Sequence, residues 1–316
     1  MNITLDTTKA LGFGDQLCLL SLLSKIPEPV TLWSNNRETY YDRIKHLVKL
    51  LKVPIAVKPT VEEGTFAGAW HLKTVCDYHY PNIKHAKDKN YIGLCLYNGV
   101  DGWVDNNYDF YRNDEFGVPN NEGNNRSQFP QIKFRPLGFY SKVFELCRRA
   151  GFDVITFDAH DDLEFKLEML TKKCRAVIGY EGGTAHLCHM LRVPYIMFDH
   201  QYPYTEGYGV FTPEVIHQSS TLHIVRDDEE FLKLNKKQVH NLIDNLKKGM
   251  TNNRLLTGEV YMRFTKGFTS PICFYNRNGE FLHQSKFGPQ VSDSALEIIT
   301  KYFFKSNQSA VNFGLW

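Results

Sequence analysis

The 316-residue chain is expected to be an α/β protein of two parallel-sheet halves, followed by a short antiparallel extension. Three observations carry that expectation. Short, nearly all-apolar runs alternate with longer segments of helical periodicity, which is how parallel strands covered on both faces read. The alternation occurs as two series, one before and one after about residue 90. The tail then departs from it: "VYMRFTKGFTSPICFYNRNGEFLHQSKFG" sets an Asn-Gly pair between aromatic, β-prone runs, a hairpin signal.

The elements follow in order. "NITLDTT" is a short strand that ends at "KALGFGDQ". From Asp15 onward, Leu17, Leu19, Leu20, Leu22 and Leu23 suit a buried helix, and the prolines of "KIPEP" stop it. "VTLWS" is a second strand. "YYDRIKHLVKLLKV" is an amphipathic helix with Ile44, Leu47, Val48 and Leu51 on one face. "PIAVKP" is a third strand, and "AWHLKTVCDYHY" offers another strand and a loop.

The second series opens with the strand "NYIGLCLYN". Gly99–Pro130, dense in Asn, Asp, Gly and aromatics, is a long loop or insertion of the kind that is usually functional or mobile. "GFYSKVFELCRRAG" is a helix stopped at Gly151. Strand "FDVITFD", helix "DDLEFKLEMLTKKC", strand "RAVIGY", helix "GTAHLCHMLRV" and strand "PYIMFDH" follow, and the helix "NKKQVHNLIDNLKKG" ends at Gly249. "DSALEIITKYFF" is a final helix with Asp293 or Ser294 as its cap. The expected domains are a Rossmann-like domain over 1–90, a second over 91–250 carrying the insertion 99–130, and a hairpin-and-helix extension over 251–316.

Composition bounds the function. Hydrophobic residues make up 42% and charged residues 23%, which is globular rather than disordered. A net charge of +2 does not by itself point to a polyanionic partner, but its placement is uneven. Thr251–Trp316 holds seven Lys/Arg against four Asp/Glu, or +3, which leaves −1 on residues 1–250. Seven cysteines (Cys18, Cys76, Cys95, Cys147, Cys174, Cys188, Cys273) show no C-x-x-C spacing and read as reduced thiols. No basic-then-apolar leader and no run of 18 apolar residues occurs, so the expectation is a cytoplasmic protein without a transmembrane segment.

Two strand-to-helix turns concentrate the special residues. In "GFGDQL", Gly12 and Gly14 let a ligand approach the backbone after the first strand, and Asp15 stands at or near the helix start. The competing reading is that Asp15 caps the helix. The spacing is not G-x-G-x-x-G, and "VTLWSNN" ends the second strand without an acidic residue, which disfavours a dinucleotide oxidoreductase. In "AVIGYEGGTAHL", the strand delivers Glu181, Gly182, Gly183 and Thr184 to a helix start, where exposed N–H groups and the dipole favour a phosphate. Thr184 can donate its hydroxyl and Glu181 can accept from sugar hydroxyls. Otherwise Thr184 caps the helix and His186 fills a polar notch in the core. His186 and His189 lack a third metal ligand at suitable spacing.

"GFGDQLCLLSLLSKI" together with "AVIGYEGGTAHLCHMLRVPYIMF" resembles the heptosyltransferase-type family of GT-B glycosyltransferases. The resemblance covers the first thirty or so residues and roughly 130–200, under half the chain. It implies two Rossmann-like domains facing a cleft, and an inverting, metal-independent transfer from a nucleotide-diphospho-sugar co-substrate, with no other cofactor. Asp15 matches the family's catalytic base. Glu181, Gly182, Gly183, Thr184 and His186 match its donor-binding turn, where Asp is the more usual acidic residue. The basic residue expected ahead of the helix opening the second domain matches Lys133 or Arg135 in "QIKFRPLGF", with Lys142 behind them. The insertion and the tail have no counterpart in the family.

The resemblance leaves the acceptor open between a glycan and a hydroxymethylated DNA base of the kind that phage glycosyltransferases modify. In the tail, Arg263, Lys266, Arg277 and Lys286 interleave with Phe264, Phe268, Phe274, Tyr275 and Phe281, a pattern suited to nucleic acid. The same alternation equally describes a hairpin packing on a core. Two other functions compete. One is an inactive, GT-B-like nucleotide-sugar-binding protein. The other is a metal-dependent transferase using "DAHDD", where Asp158, Asp161 and Asp162 otherwise stand as helix-start carboxylates.

Overall fold

The computed structural model describes residues 2–4, 13–35, 40–60, 78–95, 137–157, 161–180, 182–198, 219–252, 261–263, 272–275 and 281–285. The chain divides into two compact units. One takes Met1–Asn82, Tyr204–Gln218 and Arg254–Trp316; the other takes Ile83–Pro203 and Ser219–Asn253.

The first unit begins with β1 (Asn2–Thr4), α1 (Phe13–Leu23), β2 (Val30–Asn35), α2 (Tyr40–Leu50) and β3 (Ile55–Thr60). The strands form a parallel sheet in the order β1-β2-β3, with Ile3 opposite Leu32 and Leu32 opposite Val57. Leu17, Cys18, Leu19, Leu20, Leu22 and Leu23 of α1 are all buried, as a helix apolar on every side must be. Two polar residues share that burial, each with a partner. Ser21 Oγ donates to Leu17 O at 2.8 Å, and Gln16 Oε1 accepts Arg43 Nε of α2 at 3.0 Å. Helix α2 is amphipathic as its spacing predicts: Ile44 and Leu47 are buried, while Asp42, Arg43, Lys45 and Lys49 are exposed.

The second unit runs β4 (Tyr91–Cys95), α3 (Leu137–Arg149), β5 (Asp153–Thr156), α4 (Leu163–Glu168), β6 (Cys174–Gly179), α5 (Gly183–Met190), β7 (Tyr195–Phe198), β8 (Leu222–Val225), α6 (Asp228–Leu232) and α7 (Lys236–Lys247). Its five strands are parallel, in the order β5-β4-β6-β7-β8. Alternation along the strands sends Ile92, Leu94, Ala176, Ile178, Ile196 and Phe198 to one face. There they pack with Phe139, Val143 and Leu146 of α3 and Val239, Ile243 and Leu246 of α7. On the opposite face Gly93 has no room for a Cβ, because the Phe157 ring occupies the place. Covering both faces is why these strands read as unbroken apolar runs.

The expected helix stops are present: Gly151 and Gly249 take left-handed φ values of 88° and 78° after α3 and α7. Side-chain caps mark the starts. Asp162 accepts Glu164 N at 2.9 Å, Asp227 accepts Glu230 N at 3.0 Å, and Asn235 and Gln238 form a reciprocal capping box. The sequence "DDLEFKLEMLTKKC" is not one uniform helix; α4 passes into a π-helical turn, Met169–Lys173, before β6. β8 and α6 were not anticipated from "TLHIVRDDEEFL", since four strand residues interrupted by His223 give too short a pattern.

In the tail, β9 (Tyr261–Arg263), β10 (Ile272–Tyr275) and β11 (Phe281–Ser285) form an antiparallel sheet in the order β11-β10-β9. β10 and β11 flank the Asn278-Gly279 pair, as the hairpin signal requires, with a register shift between Phe274 and Tyr275. The Gly99–Pro130 insertion, residues 69–77 of the expected strand-and-loop segment and the final helix 293–304 lie outside the described residues. Among the described residues no helix is long and apolar enough to cross a membrane. Cys18, Cys95, Cys147, Cys174 and Cys188 are buried free thiols, and burial pushes Cys147 and Cys174 up to about 12, which keeps them protonated at neutral pH.

Candidate functional site

In an open parallel sheet, ligands bind beyond the carboxyl ends of the strands, where the strand order reverses and successive connections leave to opposite faces. The order β5-β4-β6-β7-β8 reverses between β4 and β6. The connection leaving β6 there is Tyr180-Glu181-Gly182, followed at once by α5. The glycine-rich turn therefore stands at the topological switch point of its sheet.

Its foundations are held from three directions. Tyr180 N donates to Cys95 O, the last carbonyl of β4, at 3.1 Å. Tyr195 Oη donates to Tyr180 O at 2.7 Å, and the Tyr140 and Tyr180 hydroxyls are 2.8 Å apart. Gly179 must be glycine, because a Cβ there would collide with Cys95 O and stand 2.8 Å from Tyr195 Oη. Rings surround the anchor: Tyr180 meets Phe198 edge-on at 5.6 Å and Tyr140 at 6.3 Å.

Above this anchor, Gly182 has φ 157° and ψ −175°, which glycine adopts without a Cβ clash. Its carbonyl accepts Ala185 N at 3.0 Å and His186 N at 3.3 Å, closing the first turn of α5. The N–H of Gly183, the first residue of α5, stands at the open end of the helix ahead of that closure. The turn can thus offer amide donors and the positive end of a helix dipole to an anion.

The side chains behave differently from the sequence expectation. Thr184 is not the cap: Gly182 holds the N-cap position and no side chain caps α5. Thr184 is 1% exposed and His186 3%, so both are enclosed by protein and the turn presents backbone. His189 is also buried, with Nδ1 3.5 Å from Thr221 Oγ1 and its ring edge-on to Tyr195. Among the described residues no group of three His, Cys, Asp or Glu side chains could hold a metal ion.

In the first unit, Gly14 and Asp15 are the second and third residues of α1, which starts at Phe13. Asp15 is consequently inside the first turn and not the N-cap residue. A carboxylate there still lies in the region that a helix dipole favours. For Asp15 and Arg263 the backbone alone is described. Gly12, Lys133, Arg135, Glu181, Lys266 and Arg277 lie outside the described residues, as does Asp158. Lys142 is exposed on α3, and Asp162 serves α4 as its cap.

Sequence reasoning missed Tyr140, Tyr180 and Tyr195, which fix the turn from below. The only signal for Tyr180 was its place at the end of an apolar run. Nothing in local spacing marks Tyr195 as its partner.

No family model, curated protein or solved structure matches the chain. The site accordingly rests on its own geometry.

Proposed function

We propose that the chain is an inverting, metal-independent glycosyltransferase that moves a sugar from a nucleotide-diphospho-sugar to an acceptor hydroxyl. The observation that carries this reading is the position of the Gly182-Gly183-Thr184 turn, at the switch point of a parallel sheet and at the start of α5. A diphosphate leaving group builds negative charge on oxygen as the glycosidic bond breaks. Fixed amide donors aimed at that charge lower the barrier without reorganising. Thr184 and His186 support the turn from inside, and Glu181 meets the sugar or ribose hydroxyls. Lys133 and Arg135, just ahead of α3 in sequence, add positive charge to the diphosphate. Asp15 takes the proton of the attacking hydroxyl, a poor nucleophile unless a base lies within hydrogen-bond reach. The acceptor is a glycan or a hydroxymethylated DNA base, the latter served by Arg263, Lys266 and Arg277.

The test is incubation of the full chain with UDP-, ADP- and GDP-sugars, alone and with glycan or hydroxymethylated DNA, reading nucleoside diphosphate release. Release that depends on one donor and one acceptor, and that survives EDTA, is the expected result. Binding of a nucleotide-sugar without release under any acceptor would make the chain a binding protein. Release abolished by EDTA and restored by Mn²⁺ would overturn the metal-independent mechanism.

A further inference from the structure

Ahead of β4, a lysine amine stands against an imidazole. Residues 83–90 run without helix or strand into β4. Ala86 N donates to Thr171 O at 3.0 Å, which ties this segment to the π-helical turn before β6. From the same segment Lys89 Nζ donates to Leu170 O at 2.8 Å and stands 2.9 Å from His85 Nδ1. Lys89 and His85 are half-buried, whereas Lys84, Lys87 and Asp88 beside them in sequence are exposed.

An ammonium group has hydrogens to give and no lone pair, so Nδ1 is the accepting atom of His85 and the ring hydrogen is on Nε2. The carbonyl of Leu191, at the end of α5, accepts from the same ring and fits that tautomer. Among the described residues no carboxylate faces Lys89. The titratable groups near its Nζ are His85, Lys247, Cys174 and Cys188, and burial keeps both thiols protonated. Burial, with the Lys247 charge adding to it, pushes Lys89 down to about 8. Burial, ahead of the Lys89 charge, also lowers His85. A neutral amine at this place has two hydrogens and two acceptors, Leu170 O and His85 Nδ1. Its lone pair takes the remaining tetrahedral direction. A nucleophile, a base within hydrogen-bond reach and a group that orients the base are thus brought together.

We propose that Lys89 is an acylation site, with His85 as its base and an acyl phosphate as the acyl donor. Lys89 Nζ attacks the carbonyl carbon and a C–N bond forms. The bond from that carbon to the phosphate oxygen breaks, and its electron pair leaves with inorganic phosphate. The proton that the nitrogen sheds passes to His85 Nδ1 and from there to phosphate or water. Lys84 and Lys87 on the same segment, and Lys247 near Nζ, favour a donor that carries negative charge. The product amide keeps one N–H where the ammonium offered three, so Leu170 O and His85 Nδ1 can no longer both be served. Neither Lys89 nor His85 takes part in the transferase reading.

The test is acetylation of the full chain with acetyl phosphate, read residue by residue by mass spectrometry. Lys84 and Lys87 are the references, exposed and in the same segment. At about pH 8, Lys89 should gain its acetyl group about 10-fold faster than either, although it is less accessible. Its rate should level off above pH about 8 as the amine becomes fully neutral. His85→Gln keeps an acceptor near Lys89 and removes the base. It should slow Lys89 by about 10-fold or more while Lys84 and Lys87 keep their rates. Lys89 labelled no faster than Lys84 and Lys87, or a Lys89 rate still climbing at about pH 10, would overturn the assignment. Unslowed labelling of Lys89 in a folded His85→Gln protein would overturn His85 as the base. If that variant does not fold, the wild-type rates and their pH profile decide.

Discussion

The N–H of Tyr180 donates to the carbonyl oxygen of Cys95 across 3.1 Å, and with that bond β6 closes against β4 where both strands end. Gly179 sits immediately before it, pressed so closely on Cys95 O that no Cβ fits. Gly179→Ala is expected to destabilise the second unit by about 1–3 kcal/mol, the usual cost of overpacking. Gly138→Ala is its counterpart in the first turn of α3, where a new Cβ meets nothing within 4 Å. That change should stabilise by about 0.5–1 kcal/mol, because alanine loses less backbone entropy in a helix. Urea unfolding of both variants checks the pair, and equal effects of the same sign would contradict the packing described.

Asp15→Asn tests the proposed chemistry. An amide in place of the carboxylate cannot take the acceptor proton, so transfer should fall by about 10²–10⁴-fold with the circular dichroism unchanged. A folded Asp15→Asn protein with full transfer activity would remove Asp15 as the base.

Asn252 serves the edge strand β8 as a substitute neighbour. Ile224 N donates to its Oδ1 at 2.8 Å, and its Nδ2 donates to Ile224 O at 2.9 Å. Asn252→Ala leaves both backbone groups without that partner and should cost about 1–3 kcal/mol. Asn252→Asp retains the acceptor and loses the donor, and should fall between alanine and wild type at neutral pH. Thermal unfolding of the three proteins gives the order.

Acid should weaken the fold through half-buried histidines. Burial, with the Arg226 charge second, pushes His223 down to about 4, and burial also lowers His79 and His85. Above the ordinary histidine value of 6.5 both folded and unfolded chains hold His223 neutral, and its contribution to stability is fully present. As pH falls below 6.5 the unfolded chain takes up the proton first, so stability declines until pH passes about 4. His223→Gln should flatten part of that decline when urea midpoints are compared from pH 7.5 to 4.5. An identical slope in the variant would count against His223 as a contributor.

Local chemistry made much of this fold legible. The leucine-rich, buried α1, the amphipathic face of α2, the helix stops at Gly151 and Gly249, and the hairpin at Asn278-Gly279 each depend on residues within one turn or one strand length. The failures also have physical causes. α6 and β8 are too short to show a period. The π-helical turn at Met169–Lys173 is a single turn, too short for its altered period to show in the sequence. Thr184 suits a cap by its type, but α5 starts at Gly183, as the helical segment "GTAHLCHMLRV" predicts, and Gly182 holds the N-cap position.

By itself, the sequence determined that strands alternate with helices, that a glycine-rich turn follows the strand ending at Gly179, and that this turn opens a helix. These are properties of neighbours along the chain, set by side-chain volume, branching and backbone freedom. Only the tertiary structure decided the strand order β5-β4-β6-β7-β8, which brings the turn to the switch point. It also decided that Thr184 and His186 face inward and that Tyr195 holds Tyr180 O. Strand order is a choice among pairings of distant segments, made by burying both faces of the sheet at once, and no single segment carries that information.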